Sequence, residues 1–186
     1  MAVAAIKKEH YTYADYITWD DDIRYELIEG VPYMMAAPNQ AHQEICVALT
    51  GLFWSFLRGK PCRLLIAPFD VRLNAHSYDD TVVQPDLLII CDKSKLDGKS
   101  CLGAPDMVIE ILSPSTGQRD KTKKMQLYKQ AGVREYWTVS PEYKTVDVYI
   151  LEGEKYHVNV YSENEVVPVH ILEGCEINLV DVFIET

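Results

Sequence analysis

No apolar run in the chain approaches the roughly 20 residues that a membrane-spanning helix needs. The first residues, MAVAAIKKEHYTYADY, lack the basic start, the long apolar core and the small-residue cleavage site of a secretory signal. Cysteine is sparse: Cys46, Cys62, Cys91, Cys101 and Cys175 are odd in number, scattered, and contain no CxxC pair. Most lie in apolar stretches, so the expectation is reduced cysteines in a cytoplasmic protein, without a disulfide or zinc framework. Phosphate-binding glycine loops, GxSxG elbows and HExxH helices are missing. His42-Gln43-Glu44 does not make a zinc deaminase, because Pro61-Cys62 lacks the second cysteine of a PCxxC pair. There is no internal repeat, no low-complexity tract and no linker rich in Pro, Gly or Ser, so residues 1–186 read as one domain with 1–10 loosely held. Positive charge is also short: 18 basic residues face 28 acidic ones, a net charge of −10. That field opposes strong non-specific binding to nucleic acid, although RDKTKKMQLYK concentrates five basic residues against one acid.

What is present suffices for a core. Hydrophobic residues make up 48% of the chain, and a domain of this size buries about 70% of the surface that its unfolded chain exposes. After a short aromatic segment, YTYADYITW, the stretch RYELIEGVPYMMAA reads as two strands around Gly30-Val31-Pro32. Ile45, Leu49, Leu52, Phe53 and Phe56 recur at three- and four-residue steps, which predicts a helix capped by Asn39 and ended by Gly59. CRLLIAPFDVRLN gives two strands broken at Pro68, and VVQPDLLIIC is again strongly β. CDKSKLDGKSCLGAPD reads as a loop, and MVIEILSP as a central strand buried on both faces. Ser113-Pro114-Ser115-Thr116 makes a turn and cap into a second helix from about Arg119 to Ala131, stopped by Gly132. REYWTVSP, TVDVYILEG and KYHVNVYS form a meander, and residues 166–186 add strand and a short terminal turn or helix. The order is that of an α+β domain.

Three residues stand out against this pattern. Glu110 interrupts Met107-Val108-Ile109-Glu110-Ile111-Leu112, where a lone ionised carboxylate would cost several kcal/mol unless paired or bound to metal. Asp86, in Gln84-Pro85-Asp86-Leu87, opens the preceding apolar run. One strand and one loop separate the two acids, so their strands can be neighbours. Two carboxylates from adjacent strands are the donors a hard cation such as Mg²⁺ takes, with water and substrate phosphate completing its shell. Lys124 is the third. At about 100° per residue it points within roughly 15° of the face set by Leu127, Tyr128 and Ala131, whereas Lys121 and Lys123 lie roughly 75–90° away. An inward lysine beside two acids suits holding a scissile phosphate or water and neutralising charge during phosphodiester cleavage. Glu29, His42 and Asp70 are supporting candidates for a further ligand or for orienting a water, with Glu44 beside His42.

Tyr25-Glu26-Leu27-Ile28-Glu29-Gly30, His42, Gln84-Pro85-Asp86, Val108 through Thr116, Asp120, Lys124, Tyr128 and Gly132 through Trp137 together resemble the Uma family (the Uma-two group) of restriction endonucleases. The resemblance spans about residues 20–140 and is most specific from Glu110 to Trp137. It implies a PD-(D/E)xK core, a mixed β-sheet flanked by helices, in which Asp86 and Glu110 bind Mg²⁺ (or Mn²⁺). The sequence departs from the superfamily pattern at Leu112, which stands where the lysine is expected. The resemblance suggests that Lys124 takes that role from the following helix, with Lys121 as the alternative. The function implied is a metal-dependent DNA endonuclease, acting as a homodimer by analogy with nucleases that cut duplexes. The alternative is a non-catalytic nucleic-acid or protein-binding module on the same fold.

Overall fold

The computed structural model describes residues 8–20, 22–113 and 120–183. Its strands are β1 (Tyr25–Ile28), β2 (Val31–Met34), β3 (Arg63–Ile66), β4 (Asp70–Arg72), β5 (Val82–Val83), β6 (Leu87–Ile90), β7 (Ser100–Leu102), β8 (Met107–Ile111), β9 (Glu135–Ser140), β10 (Thr145–Glu152), β11 (Lys155–Ser162), β12 (Val166–Pro168) and β13 (Glu176–Asn178). The helices are α1 (Tyr13–Tyr16), α2 (Gln40–Leu57) and α3 (Met125–Ala131), the last preceded by a π-helical turn at Asp120–Lys124.

The continuous apolar run of β8 is buried at every position because the strand lies inside a six-stranded sheet ordered β11-β10-β9-β8-β6-β3. β8 and β9 are parallel, and the other pairs of this sheet are antiparallel. Parallel neighbours require a crossover, and the crossover between β8 and β9 carries α3 over the sheet. A second sheet, ordered β2-β1-β5-β4-β7, packs its residues into the same face. α2 covers the opposite face. Ile45, Leu49, Phe53 and Leu57 pack there with Leu87, Ile89, Met107, Ile109 and Trp137. Alternation along the strands then sends Leu88, Ile90 and Val108 to the α3 side, with Tyr128 and Tyr136. This is the mixed-sheet α+β architecture expected from the sequence.

Several local readings need correction. The first hairpin turns at Glu29-Gly30, not at Gly30-Val31-Pro32. Both turn residues have positive φ (50° and 77°), as a two-residue hairpin demands, and Pro32 lies in the edge strand β2, where no ladder hydrogen bond is lost. The loop after Cys91 contains β7, which pairs in parallel with β4. VVQPDLLIIC is two strands, β5 and β6, parted by Gln84-Pro85-Asp86. Cys62 and Cys91 form a disulfide, contrary to the expectation of reduced cysteines throughout. The cause is register: Arg63 pairs with Ile90 in the antiparallel β3–β6 ladder, so the next rung sets Cys62 opposite Cys91. Cys46, Cys101 and Cys175 are free. The expected turn over Pro114-Ser115-Thr116, the helix start at Arg119 and most of the loosely held N-terminus fall outside the described residues. No helix among the described residues is long and apolar enough to cross a membrane.

Candidate active site

The register of the central sheet brings the two acids together. β6 and β8 pair with Leu87 opposite Ile109 and Leu88 opposite Val108. Carried one rung further, the ladder sets Asp86 opposite Glu110 at the end of the pairing. Residues two apart share a sheet face, so Glu110 projects with Val108 toward α3, where Tyr128 and Lys124 wait. The Lys124 ammonium lies 2.6 Å from Glu110 Oε1, 2.8 Å from Glu26 Oε1 and 3.6 Å from Asp120 Oδ1. Tyr128 donates its hydroxyl to the same Glu110 oxygen at 2.6 Å. Lys124 is only 3% exposed, so its charge is answered by protein and hardly by water. Tyr136 pins the π-helical turn by donating to the Asp120 carbonyl at 3.0 Å.

Asp86 is held from two sides. Its Oδ2 accepts from the Ile111 amide at 2.7 Å and lies 3.1 Å from His42 Nε2. His42 reaches it from the first turn of α2, whose cap Asn39 accepts from the His42 amide at 2.9 Å. With Nε2 directed at this carboxylate, Nδ1 is the remaining polar atom of the His42 ring. That atom is buried without a hydrogen-bond partner among the described residues.

Burial pushes the Glu110 carboxyl well above the ordinary carboxylate range. Asp120, Asp86 and Glu26 push it the same way, while Lys124 pulls it down. Burial alone would lower the Lys124 ammonium, but Glu110, Glu26 and Asp120 hold it well above its usual value. One ammonium among three buried carboxylates leaves an excess of negative charge, and a proton retained on Glu110 relieves it. Cys46 lines the same cavity, yet burial first, and then Asp86, push its thiol up, so it is no candidate nucleophile.

Asp86, Glu110, His42, Glu26, Asp120 and Lys124 all line one cavity of about 170 Å³. Among the described residues, the contacts of Asp86 fall on Oδ2 and those of Glu110 on Oε1, so one oxygen of each remains uncommitted. No three His, Cys, Asp or Glu side chains among them form a ready-made metal cage. Two carboxylate oxygens without thiolate suit a hard divalent ion that retains waters, such as Mg²⁺ or Mn²⁺, better than zinc.

Known proteins resemble the chain in sequence and in fold. The Uma2 family model, described as "Putative restriction endonuclease", matches residues 13–180. The chain belongs to the Uma2 family. One relative of this Uma2 protein is the uncharacterized protein slr1290 of Synechocystis sp. (strain ATCC 27184 / PCC 6803 / Kazusa), 28% identical over 139 residues that span 73% of this chain and 71% of the relative. The crystal structure of a "putative nuclease belonging to DUF820" from Anabaena variabilis ATCC 29413 is similar with a TM-score of 0.76. It covers 93% of this chain and 97% of its own at 21% identity, a likeness of fold. The restriction-endonuclease-like fold is thereby established, and nuclease function in general terms follows from the Uma2 family.

The residues singled out in the sequence separate into two groups in this Uma2 chain. Asp86, Glu110, Lys124 and His42 meet at the cavity. Glu29, Asp70 and Lys121 do not. Glu29 sits at the hairpin turn with a side chain 64% exposed, 3.1 Å from Lys123. Lys121 points outward, as the helical angle predicts, and pairs with Asp147 at 2.8 Å. Asp70 accepts from Tyr16 at 3.0 Å and from Gln84 at 2.9 Å. Two carboxylates given no role from the sequence, Glu26 and Asp120, complete the lysine cluster. Glu26 could have been found by the test that found Glu110, since it too is an acid inside a buried strand, Tyr25-Glu26-Leu27-Ile28.

Proposed function

We propose that the chain is a metal-dependent DNA endonuclease whose active centre is Asp86, Glu110 and Lys124. What supports the reading is that two carboxylates from neighbouring strands and a buried ammonium share one cavity, in a family described as restriction endonucleases. Asp86 and Glu110 would hold Mg²⁺ or Mn²⁺, which when bound polarises a phosphoryl oxygen and lowers the pKa of water. His42 and the Ile111 amide fix the orientation of Asp86, and Tyr128 fixes that of Glu110. Lys124 keeps its proton because three carboxylates surround it, and so presents a fixed positive charge to the phosphate as negative charge grows during cleavage. Glu26 and Asp120 act through Lys124, holding the ammonium over Glu110. Two chains act together. Support for a homodimer is the long edge strand β11, which exposes Val158 and Val160. A light-scattering mass of one chain contradicts it.

The test is nicking of supercoiled plasmid with Mg²⁺ or Mn²⁺, and its loss in EDTA. The native chain nicks; Glu110→Gln and Lys124→Met do not. A folded native chain that leaves plasmid intact with either metal favours the non-catalytic binding module instead.

A further inference from the structure

Arg24 and Gln84 line two openings. One is the cavity of Asp86, Glu110 and Lys124; the other is an open groove of about 630 Å³ walled by Tyr13, Tyr16, Trp19 and Tyr25. The rings brace one another: Trp19 meets Tyr16 edge-on at 5.5 Å and Tyr25 at 5.1 Å. Tyr25 is buried, whereas Tyr16 and Trp19 keep part of their surface exposed. The Arg72 guanidinium covers the Tyr13 ring at 4.0 Å, Tyr13 stacks on Tyr16 at 5.8 Å, and Tyr11 meets Trp19 edge-on at 5.3 Å, so the partly exposed surface of Trp19 is the aromatic surface the groove offers.

The charges around the groove are unevenly committed. Asp70 accepts from Tyr16 and Gln84, and Asp97 accepts from the amides of Lys99 and Ser100 at 2.8 and 2.6 Å. The cations have no such partners. Arg24 is exposed and gives Nε and Nη2 to the neutral amide oxygen of Gln84, at 3.1 and 2.7 Å. No carboxylate among the described residues pairs with Arg24 or with the exposed Lys99. In the lining, Arg24 and Lys99 balance Asp70 and Asp97, and Asp20 and Asp22 are exposed beside them, so the groove offers two separate cations and no positive patch. Gln84 also ties the groove to the neighbouring site: its backbone amide donates to Glu26 Oε1 at 3.0 Å, and Glu26 holds Lys124.

A fixed, partly exposed indole beside a guanidinium that has no carboxylate partner among the described residues can receive an unpaired nucleobase. Every base offers a π-face, and the adjoining phosphate meets the cation. We propose that this groove is a base-stacking subsite, with Trp19 as the stacking ring and Arg24 as the phosphate contact. The preferred substrate is then single-stranded or locally unpaired DNA. The inference rests on the hydrolase reading for the adjacent cavity only as regards what is done to the strand once bound.

Intrinsic fluorescence tests it. Trp54 is 60% exposed and Trp137 is buried, so a Trp54→Phe variant leaves Trp19 as the accessible reporter. In EDTA, a short oligothymidylate quenches that emission saturably and binds at least about fivefold tighter than a blunt duplex of equal length. By anisotropy of a labelled oligothymidylate, Trp19→Leu and Arg24→Ala each weaken binding at least about fivefold, the loss expected for one stacked base. Absence of saturable quenching overturns the proposal. So does native-like binding by both variants with folding confirmed by circular dichroism, or a duplex bound as tightly as the single strand. The measurement needs no hydrolysis, so the two readings fail separately. Oligothymidylate that quenches Trp19 yet is never cut in Mg²⁺ contradicts the hydrolase reading alone; plasmid cut without quenching contradicts the groove alone.

Discussion

Lys124 and Glu110 carry opposite consequences for stability although they touch. Removing the ammonium in Lys124→Met strands Glu26, Glu110 and Asp120 in the interior, and breaking a buried pair of this kind costs about 3–5 kcal/mol. Glu110→Gln keeps an acceptor for Lys124 and Tyr128 while deleting a carboxylate that burial already disfavours. Lys124→Met is therefore expected to lower the denaturation midpoint sharply and Glu110→Gln to leave it unchanged or raised, with nicking lost in both. Equal destabilisation by the two contradicts this division. Protons should report the same asymmetry. The folded value of Glu110 lies above its unfolded one, so the native state binds the extra proton and metal-free stability falls as pH rises from the ordinary carboxylate range through that folded value. Cation binding must displace the proton, so Mg²⁺ affinity rises over the same interval. Urea melts and cation titrations across pH check both, and Glu110→Gln flattens the stability decline. Residue-scale features were only partly legible in the sequence. An acid inside a buried strand flags Glu110 and Glu26, but it flags Glu135 equally. Glu135 accepts from Trp137 at 2.7 Å and from the Ile171 amide at 2.9 Å and does not line the cavity. Only the third dimension separates a site carboxylate from a structural one.

At the scale of elements, α2 does two jobs. Its apolar face covers one side of the sheet, and its first turn delivers His42 to Asp86. Asn39→Ala removes the cap on the His42 amide and is expected to cost about 1 kcal/mol. Because the same turn positions His42, nicking falls too, and by more than the loss of folded protein explains. A capped-helix loss with unchanged activity per folded molecule contradicts the role given to His42. The helices and long strands were readable because their periodicity is strong. β7 was not, since Ser100-Cys101-Leu102 is short and owes its pairing to β4, which lies about 30 residues earlier. The π-helical turn was also invisible. A 100° step places Lys124 inward but cannot show the wider turn, which the Tyr136 hydroxyl ties down through the Asp120 carbonyl.

For the whole molecule, the fold class followed from element order, and the meeting of Asp86 with Glu110 follows from one register that continues β6 and β8. The disulfide did not follow, because Cys62 and Cys91 meet only through the β3–β6 ladder. Net charge says little about the cavity, where buried groups answer to near neighbours more than to a screened global field. The central claim is that Asp86 and Glu110 make one divalent-cation site, and isothermal titration of Mg²⁺ or Mn²⁺ tests it most directly. The native chain is expected to bind one ion with proton release, and Asp86→Asn and Glu110→Gln, each confirmed as folded, to lose that binding. Undiminished binding by both variants, or none by the native chain with either metal, would contradict it.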